Sequence, residues 1–308
     1  MSSRTKIRAV LISDELGGGW KLMALLFLLS IAAYGPALSA YFVDDDFEYV
    51  QLYKNWTHFN WGLLTSDWTQ GVWGVTFPEI RPVAAVLFAL NATLFGIQPT
   101  TYHLTNVVLH SLTGWLIFWI ASRVGAERGL AILASVIFVV HPAGSQATAW
   151  ITGLIDVVAG FFFVATLALY VLHRTCGKSF VYVCSLITFA LAVYSKENTI
   201  GLVVMIGVYE ACFGNVPAAR WRLIGYAVPT AGYLIFRCST PGLIHGPHLT
   251  FHLVLKHLWV FFGTPFIPIR GFLLLETPWV ALLWGASLPY SSCCDGGNCL
   301  ESFTSPLS

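Results

Sequence analysis

The sequence predicts an all-α membrane protein: a polytopic helical bundle of about nine transmembrane helices, with a large first extracytoplasmic loop carrying juxtamembrane helices. Three observations predict it. Hydrophobic residues make up 56% of the chain and charged residues only 10%, with a mean hydropathy of +0.72, whereas a soluble domain carries about 25% charged residues. Apolar runs approaching the roughly 20 residues that cross a bilayer recur along the chain. Basic residues gather in alternate connections between those runs. The formal net charge of +1 gives no electrostatic reason for a nucleic-acid partner. The partner the composition implies is the lipid bilayer.

The elements follow in order. Residues 1–19 read as a cytoplasmic N-terminal segment, and the first apolar run, 20–39, as an anchor. That run is too long for a signal peptide and no A-x-A-type cleavage site follows it. Further spans are expected near 101–121, 129–143, 153–172, 180–195, 199–214, 223–238, 252–269 and 272–288. The run RPVAAVLFALNATLFG at 81–96 is ambiguous: it is short, opens with Arg81 and Pro82, and carries Asn91. Charge arbitrates. If 81–96 does not span, ten of the sixteen basic residues fall on the cytoplasmic side; if it spans, six fall inside and eight outside. The first layout is preferred, so 81–96 is expected to lie along the outer surface as an amphipathic or re-entrant helix. Residues 40–100 then form one extracytoplasmic loop, whose Trp56, Trp61, Trp68 and Trp73 suit the membrane–water interface. The membrane domain is taken as 20–290. Residues 291–308, SSCCDGGNCLESFTSPLS, are a polar Cys-containing tail without apolar periodicity. The seven cysteines include no CxxC pair that would suggest zinc.

With this topology the polar motifs gather at the outer face. Asp44, Asp45 and Asp46 follow the first span. His103, Asn106 and His110 in YHLTNVVLH share one helix face. HPAGSQATAWITGLID, with His141 and Asp156, forms the hairpin between the third and fourth spans, and SKEN, with Lys196 and Glu197, the turn after the fifth. Polar groups inside a membrane are costly, so such a gathering is read as a functional site by default. Each motif also has a plainer reading. The aspartates suit an orienting acidic loop. His103, Asn106 and His110 suit interhelical hydrogen bonding, and His141-Pro142 a helix stop. Lys196, Glu197 and Arg81 suit anchors at the interface. Asn55-Trp56-Thr57 and Asn91-Ala92-Thr93 match the N-glycosylation pattern.

Taken together in their order, FVDDD, RPV, LFG, YHLTN with VVLH, HP followed by AWITG and an Asp, and SKE resemble polytopic glycosyltransferases of the GT-C type. The likeness is to protein O-mannosyltransferase-like enzymes, including the tetratricopeptide-linked branch, over about residues 25–215. The resemblance implies an enzyme that moves a sugar, mannose among the candidates, from a polyprenyl-phosphate carrier to a protein or glycan hydroxyl outside the cytoplasm. The membrane would be the bacterial inner membrane or the endoplasmic reticulum. It implies Asp45 or Asp46 as general base, its pKa raised by neighbouring like charge, with Asp44 beside it. Lys196 and Arg81 would meet the charge of the leaving phosphate, and His103, Asn106, His110, His141, Asp156 and Glu197 would complete the substrate site. The pattern requires no cofactor. A divalent cation, magnesium or manganese, held by Asp45 and Asp46 is compatible with so oxygen-rich a site.

This chain departs from the pattern at Gln146, where a Glu is usual, and at Leu154, where the usual Gly-Arg-x-Asp has its Arg. Loss of both would remove an ion pair without leaving an orphan charge. The chain also shows no repeat of tetratricopeptide period and ends after about nine spans, as a fragment, a frameshifted end or a reduced variant would. Those features leave two alternatives: a non-catalytic protein that binds the lipid carrier and, with less support, a transporter, which would carry polar groups at the midplane and an inverted repeat.

Overall fold

The computed structural model describes residues 3–43, 45–47, 81–214 and 216–239, with side chains described from residue 19 except at 216–219 and 237–239. All of these lie in one compact unit, residues 1–247. The described residues are helical, with no strand among them.

Helix α1 (Ser3–Tyr34) starts well before residue 20 and runs into a 3-10 turn, Gly35–Ser39, begun by Gly35-Pro36. Helix α2 (Pro82–Phe95) and helix α3 (Pro99–Arg123) both open on proline, whose missing N–H is no loss at a first helical position. Helix α4 (Arg128–Val140) stops at His141-Pro142, where a 3-10 turn, Pro142–Gly144, leads into a short helix α5 (Ser145–Ala149). Helix α6 (Leu154–Cys176) closes on Gly177, whose φ of 70° is the left-handed cap that glycine fills without strain. Helix α7 (Ser179–Val193) and the 3-10 turn Glu197–Gly201 lead to α8 (Leu202–Phe213), α9 (Val216–Gly225) and α10 (Ala227–Ser239).

Helix α3 packs against α1, α4 and α6, and α6 packs against α7. Two apolar cores result. One joins Phe42, Phe88, Tyr102, Ile151, Leu154 and Val158 beneath the polar motifs; the other joins Tyr170, Phe189, Val193, Leu202, Tyr226 and Tyr233 farther along α6 and α7.

Three segments are long and apolar enough to cross a membrane: Gly19–Ser39, Pro99–Arg123 and Leu154–Cys176. A fourth arises if α4 and the segment Pro142–Ala149, bent by 46°, count as one broken span. The described residues thus confirm an all-helical chain with three such segments, or four with the bent pair, and do not confirm about nine spans. The runs at 180–195, 199–214 and 223–238 form helices of 15, 12 and 13 residues. Those at 252–269 and 272–288, and the tail 291–308, lie outside the described residues.

The ambiguous run at 81–96, expected as an amphipathic or re-entrant helix, forms a short helix. At about 1.5 Å per residue, α2 covers roughly 21 Å, short of the ~30 Å hydrocarbon core. It does not lie free on a surface, however. Ala84, Ala85, Phe88, Ala89 and Ala92 form one helical face sunk against Tyr102, Ile151, Leu154, Ile155 and Val158. Asn91 is consequently 5% exposed. Its amide donates to the Leu87 carbonyl at 3.2 Å and its Oδ1 accepts from the Thr105 hydroxyl at 3.0 Å.

Candidate functional site

The break at His141-Pro142 organises one end of the bundle. Proline cannot continue the α4 ladder, so carbonyls of its last turn lose their intrahelical partners in a setting without free water. The structure supplies replacements. His110 lies about 16 Å along α3 from its first residue, and its Nε2 bonds to the Val139 carbonyl at 3.2 Å. The Tyr34 hydroxyl donates to the His141 carbonyl at 3.4 Å, and the His141 Nδ1 accepts from the Ala143 amide at 3.1 Å, capping the 3-10 turn. The His110 ring stacks on Phe138 at 4.7 Å and meets the Tyr34 ring edge-on. Two of the expected substrate residues, His110 and His141, thus have backbone work to do.

The hairpin that follows the break carries the next layer. The Asn106 amide donates to the Trp150 carbonyl at 2.7 Å. A Cβ on Gly153 would overlap the backbone carbonyl of Ala147, so only glycine lets the hairpin fold so tightly on itself. That fold aims the Thr152 amide at the segment after α1. Asp46 receives it: one carboxylate oxygen accepts from the Thr152 amide at 2.9 Å and the other from the Val43 amide at 3.0 Å. Asp46 is 1% exposed, and its neighbour Asp45 is exposed. Phe42, buried against Tyr102, pins the same segment. Burial pushes the Asp46 carboxyl above the ordinary carboxylate value, and the Val43 and Thr152 bonds oppose that push. The sequence attributed a raised pKa to like-charge crowding; for Asp46 the cause is burial.

His103 is buried within electrostatic reach of Asp46. The carbonyls of Ala40 and Ala149 flank its ring without forming a hydrogen bond of good geometry. Oδ1 of Asn106 and the hydroxyls of Thr148 and Thr152 are likewise buried without a well-formed partner. The inward side of the acidic segment is therefore polar.

Asp156, in the first turn of α6 and one turn past Thr152, pairs with Lys196 through Oδ1 and Nζ. Glu197 lies 3.9 Å from the Arg81 guanidinium. The Val83 amide donates to the Tyr194 carbonyl at 3.4 Å, which fixes the start of α2 against the end of α7. All four sequence clusters therefore meet at one end of the bundle. Asp46 contacts the hairpin, the hairpin contacts Asn106, and the first turn of α6 contacts the 195–198 turn. Asp44 lies outside the described residues.

The two departures from the motif pattern occupy different surroundings. Gln146 is exposed on α5, and Leu154 is buried in the apolar core with Phe88 and Tyr102. Among the described residues no group of three His, Cys, Asp or Glu side chains is placed to hold a metal ion. Each Asp46 oxygen accepts from one backbone amide.

Sequence reasoning missed a second polar cluster, on Glu210 in α8. Glu210 is fully buried, pairs with Arg174 at 2.6 Å and Arg222 at 3.4 Å, and accepts from the Tyr170 hydroxyl at 2.6 Å. A lone Glu inside an apolar run was the available signal, because a buried carboxylate demands partners.

An all-helical membrane protein with exposed and buried carboxylates beside two ion pairs at one bundle end is the class these features define. Its relatives are consistent with the sequence motifs. The chain is 31% identical to protein O-mannosyl-transferase TMTC1 of Homo sapiens over 153 residues, 48% of this chain and 17% of that protein. It is 30% identical to protein O-mannosyl-transferase TMTC2 of Mus musculus over 155 residues, 47% of this chain and 18% of that protein. It is 27% identical to protein O-mannosyl-transferase TMTC3 of Homo sapiens over 231 residues, 72% of this chain and 23% of that protein. About half of the chain is thus similar to protein O-mannosyl-transferases, and the chain spans less than a quarter of the length of these curated relatives. No family profile and no solved structure matches it.

Proposed function

We propose that this chain carries the reaction end of a glycosyltransferase that moves mannose from a polyprenyl-phosphate carrier to a protein hydroxyl. The reaction would take place on the lumenal side of the endoplasmic reticulum membrane, in a bundle of about nine spans. The observation that supports the reading is a chain of contacts: Asp46, next to the exposed Asp45, accepts from the Thr152 amide, and Asp156, one turn past Thr152, pairs with Lys196. The animal relatives named as protein O-mannosyl-transferases support the sugar and the acceptor class.

Asp45 is the general base. It is the carboxylate that faces outward, whereas Asp46 holds two backbone amides and is closed to an acceptor. Asp45 takes the proton from the acceptor hydroxyl, and the oxygen attacks the anomeric carbon. The bond from that carbon to the phosphate oxygen breaks, and its electron pair leaves with the polyprenyl phosphate. Lys196 and Arg81 meet the charge that grows on the phosphate. The proton on Asp45 passes to bulk water.

The test is transfer of labelled mannose from a synthetic polyprenyl-phosphate donor to acceptor polypeptide, using the chain in its membrane. Transfer that is lost in Asp45→Asn supports the reading. Carrier binding with no turnover of any sugar donor would reject it in favour of a non-catalytic carrier-binding protein.

A further inference from the structure

The two ion pairs Lys196–Asp156 and Arg81–Glu197 share an asymmetry. In each, the cation is the more buried partner. Lys196 has 24% of its side chain exposed against 47% for Asp156, and Arg81 has 14% against 35% for Glu197. The carboxylates are the partners nearer to solvent. A pair that served only to tie helices together would gain nothing from this order, because exposed pairs contribute about 0–1 kcal/mol. The order does suit a site whose cations await a different anion. The backbone around it is firm: Asp156 sits in the first turn of a 23-residue helix, Arg81 leads directly into α2, and the Val83–Tyr194 bond fixes their relation.

We propose that Asp156 and Glu197 are resident anions, held on Lys196 and Arg81 until a lipid-linked phosphate displaces them. This inference rests on the transfer reading only for the identity of the ligand. A polyprenyl-phosphate sugar is a phosphodiester with one negative charge. Cleavage of the sugar–oxygen bond leaves a phosphate monoester, which carries roughly −1.5 to −2 at neutral pH. The monoester outcompetes the carboxylates more strongly than the diester does. The exchange therefore advances as charge develops on the leaving group, which is where stabilisation accelerates the step.

The two partners of one ion pair then have opposite effects on binding. In nanodiscs of zwitterionic lipid, Lys196→Gln weakens polyprenyl phosphate binding by about tenfold or more, and Asp156→Asn tightens it by about three- to tenfold. Glu197→Gln, at the longer pair, shifts binding in the same direction as Asp156→Asn and by less. Loss of a structural ion pair alone would give Lys196→Gln and Asp156→Asn the same sign, so weaker or unchanged binding in both Asp156→Asn and Glu197→Gln overturns the proposal. Inorganic phosphate and phosphatidate serve as competitors. Equal potency of either with polyprenyl phosphate would overturn the assignment to the lipid carrier. If the opposite signs hold while no donor supports transfer, the phosphate site stands and the transferase reading fails. Transfer without the opposite signs gives the converse result.

Discussion

Asp45 and Asp46 are chemically identical neighbours, and replacing each with Asn separates their roles. Asp45→Asn removes the base but no bond recorded in the fold. Transfer should fall about 10²–10⁴-fold, the contribution of a positioned base, with thermal stability unchanged. Asp46→Asn keeps one carbonyl oxygen but turns an NH2 group toward a second buried amide. The Val43 or the Thr152 amide then loses its acceptor. Leaving a buried donor unpaired costs about 1–3 kcal/mol, and at roughly 2–4 °C per kcal/mol for a unit of this size the unfolding midpoint falls by about 2–12 °C. Transfer by the fraction that remains folded should drop much less than in Asp45→Asn. The assay pairs mannose transfer in membranes with thermal unfolding of the purified chain. Full transfer by Asp45→Asn, together with loss of transfer in a fully stable Asp46→Asn, would refute the division of labour and return the base to Asp46.

Four further outcomes follow from the geometry. Burial raises the native Asp46 carboxyl above its ordinary value of 3.8, so its contribution to stability is complete below that pH and is lost as pH rises through the native value. Thermal midpoints taken between about pH 3.5 and 6.5 should fall more steeply in the wild type than in Asp46→Asn, and equal slopes reject the assignment. Gly153→Ala forces the 147–153 hairpin apart, costs about 1–3 kcal/mol of overpacking, and withdraws the Thr152 amide from Asp46, so both stability and transfer decline; unchanged values in both would show that the hairpin tolerates a Cβ. Tyr170→Phe removes the hydroxyl that donates to the buried Glu210 at 2.6 Å and should destabilise by about 1.5–3 kcal/mol without changing the affinity for polyprenyl phosphate. Asn91→Gln should leave electrophoretic mobility in glycosylating microsomes unchanged, because Asn91 is buried; a mobility shift would show that α2 is open to the transferase.

Much of this end of the bundle was legible in the sequence, and the reasons are local. Hydrophobic runs bounded by Pro36, Pro82, Pro99 and Gly177 give helix positions because proline and glycine act on the backbone wherever they stand. The charge asymmetry set 81–96 apart from the expected spans, and the helix there is 14 residues long. What it cannot register is that alanines 84, 85, 89 and 92 let α2 sink against Tyr102 and Leu154; that depends on a partner surface made by distant residues. The same limit governed the site. The i, i+3, i+7 spacing put His103, Asn106 and His110 on one face, but their separate duties depend on α4 ending at Val140 and on the hairpin returning to Trp150. The choice between Asp45 and Asp46 was not legible either. It turns on which carboxylate the Thr152 amide reaches, across 106 residues of chain.

The broken span ties these facts to one cause. A continuous helix through 128–149 would satisfy its own carbonyls and carry the 145–152 segment away from Asp46. The His141-Pro142 break instead leaves carbonyls that must be met inside the bundle, and Tyr34 and His110 meet them from α1 and α3. Those bonds hold the hairpin against both helices, and Gly153 then allows it to double back so that the Thr152 amide faces Asp46. Asp46 gives up its accessibility in that bond. The next residue back, Asp45, gains a fixed position at the surface. The helix break, the buried carboxylate and the exposed one are therefore parts of one arrangement. On this argument a substitution at Tyr34 or His110 should alter the position of Asp45, although neither residue approaches an acceptor.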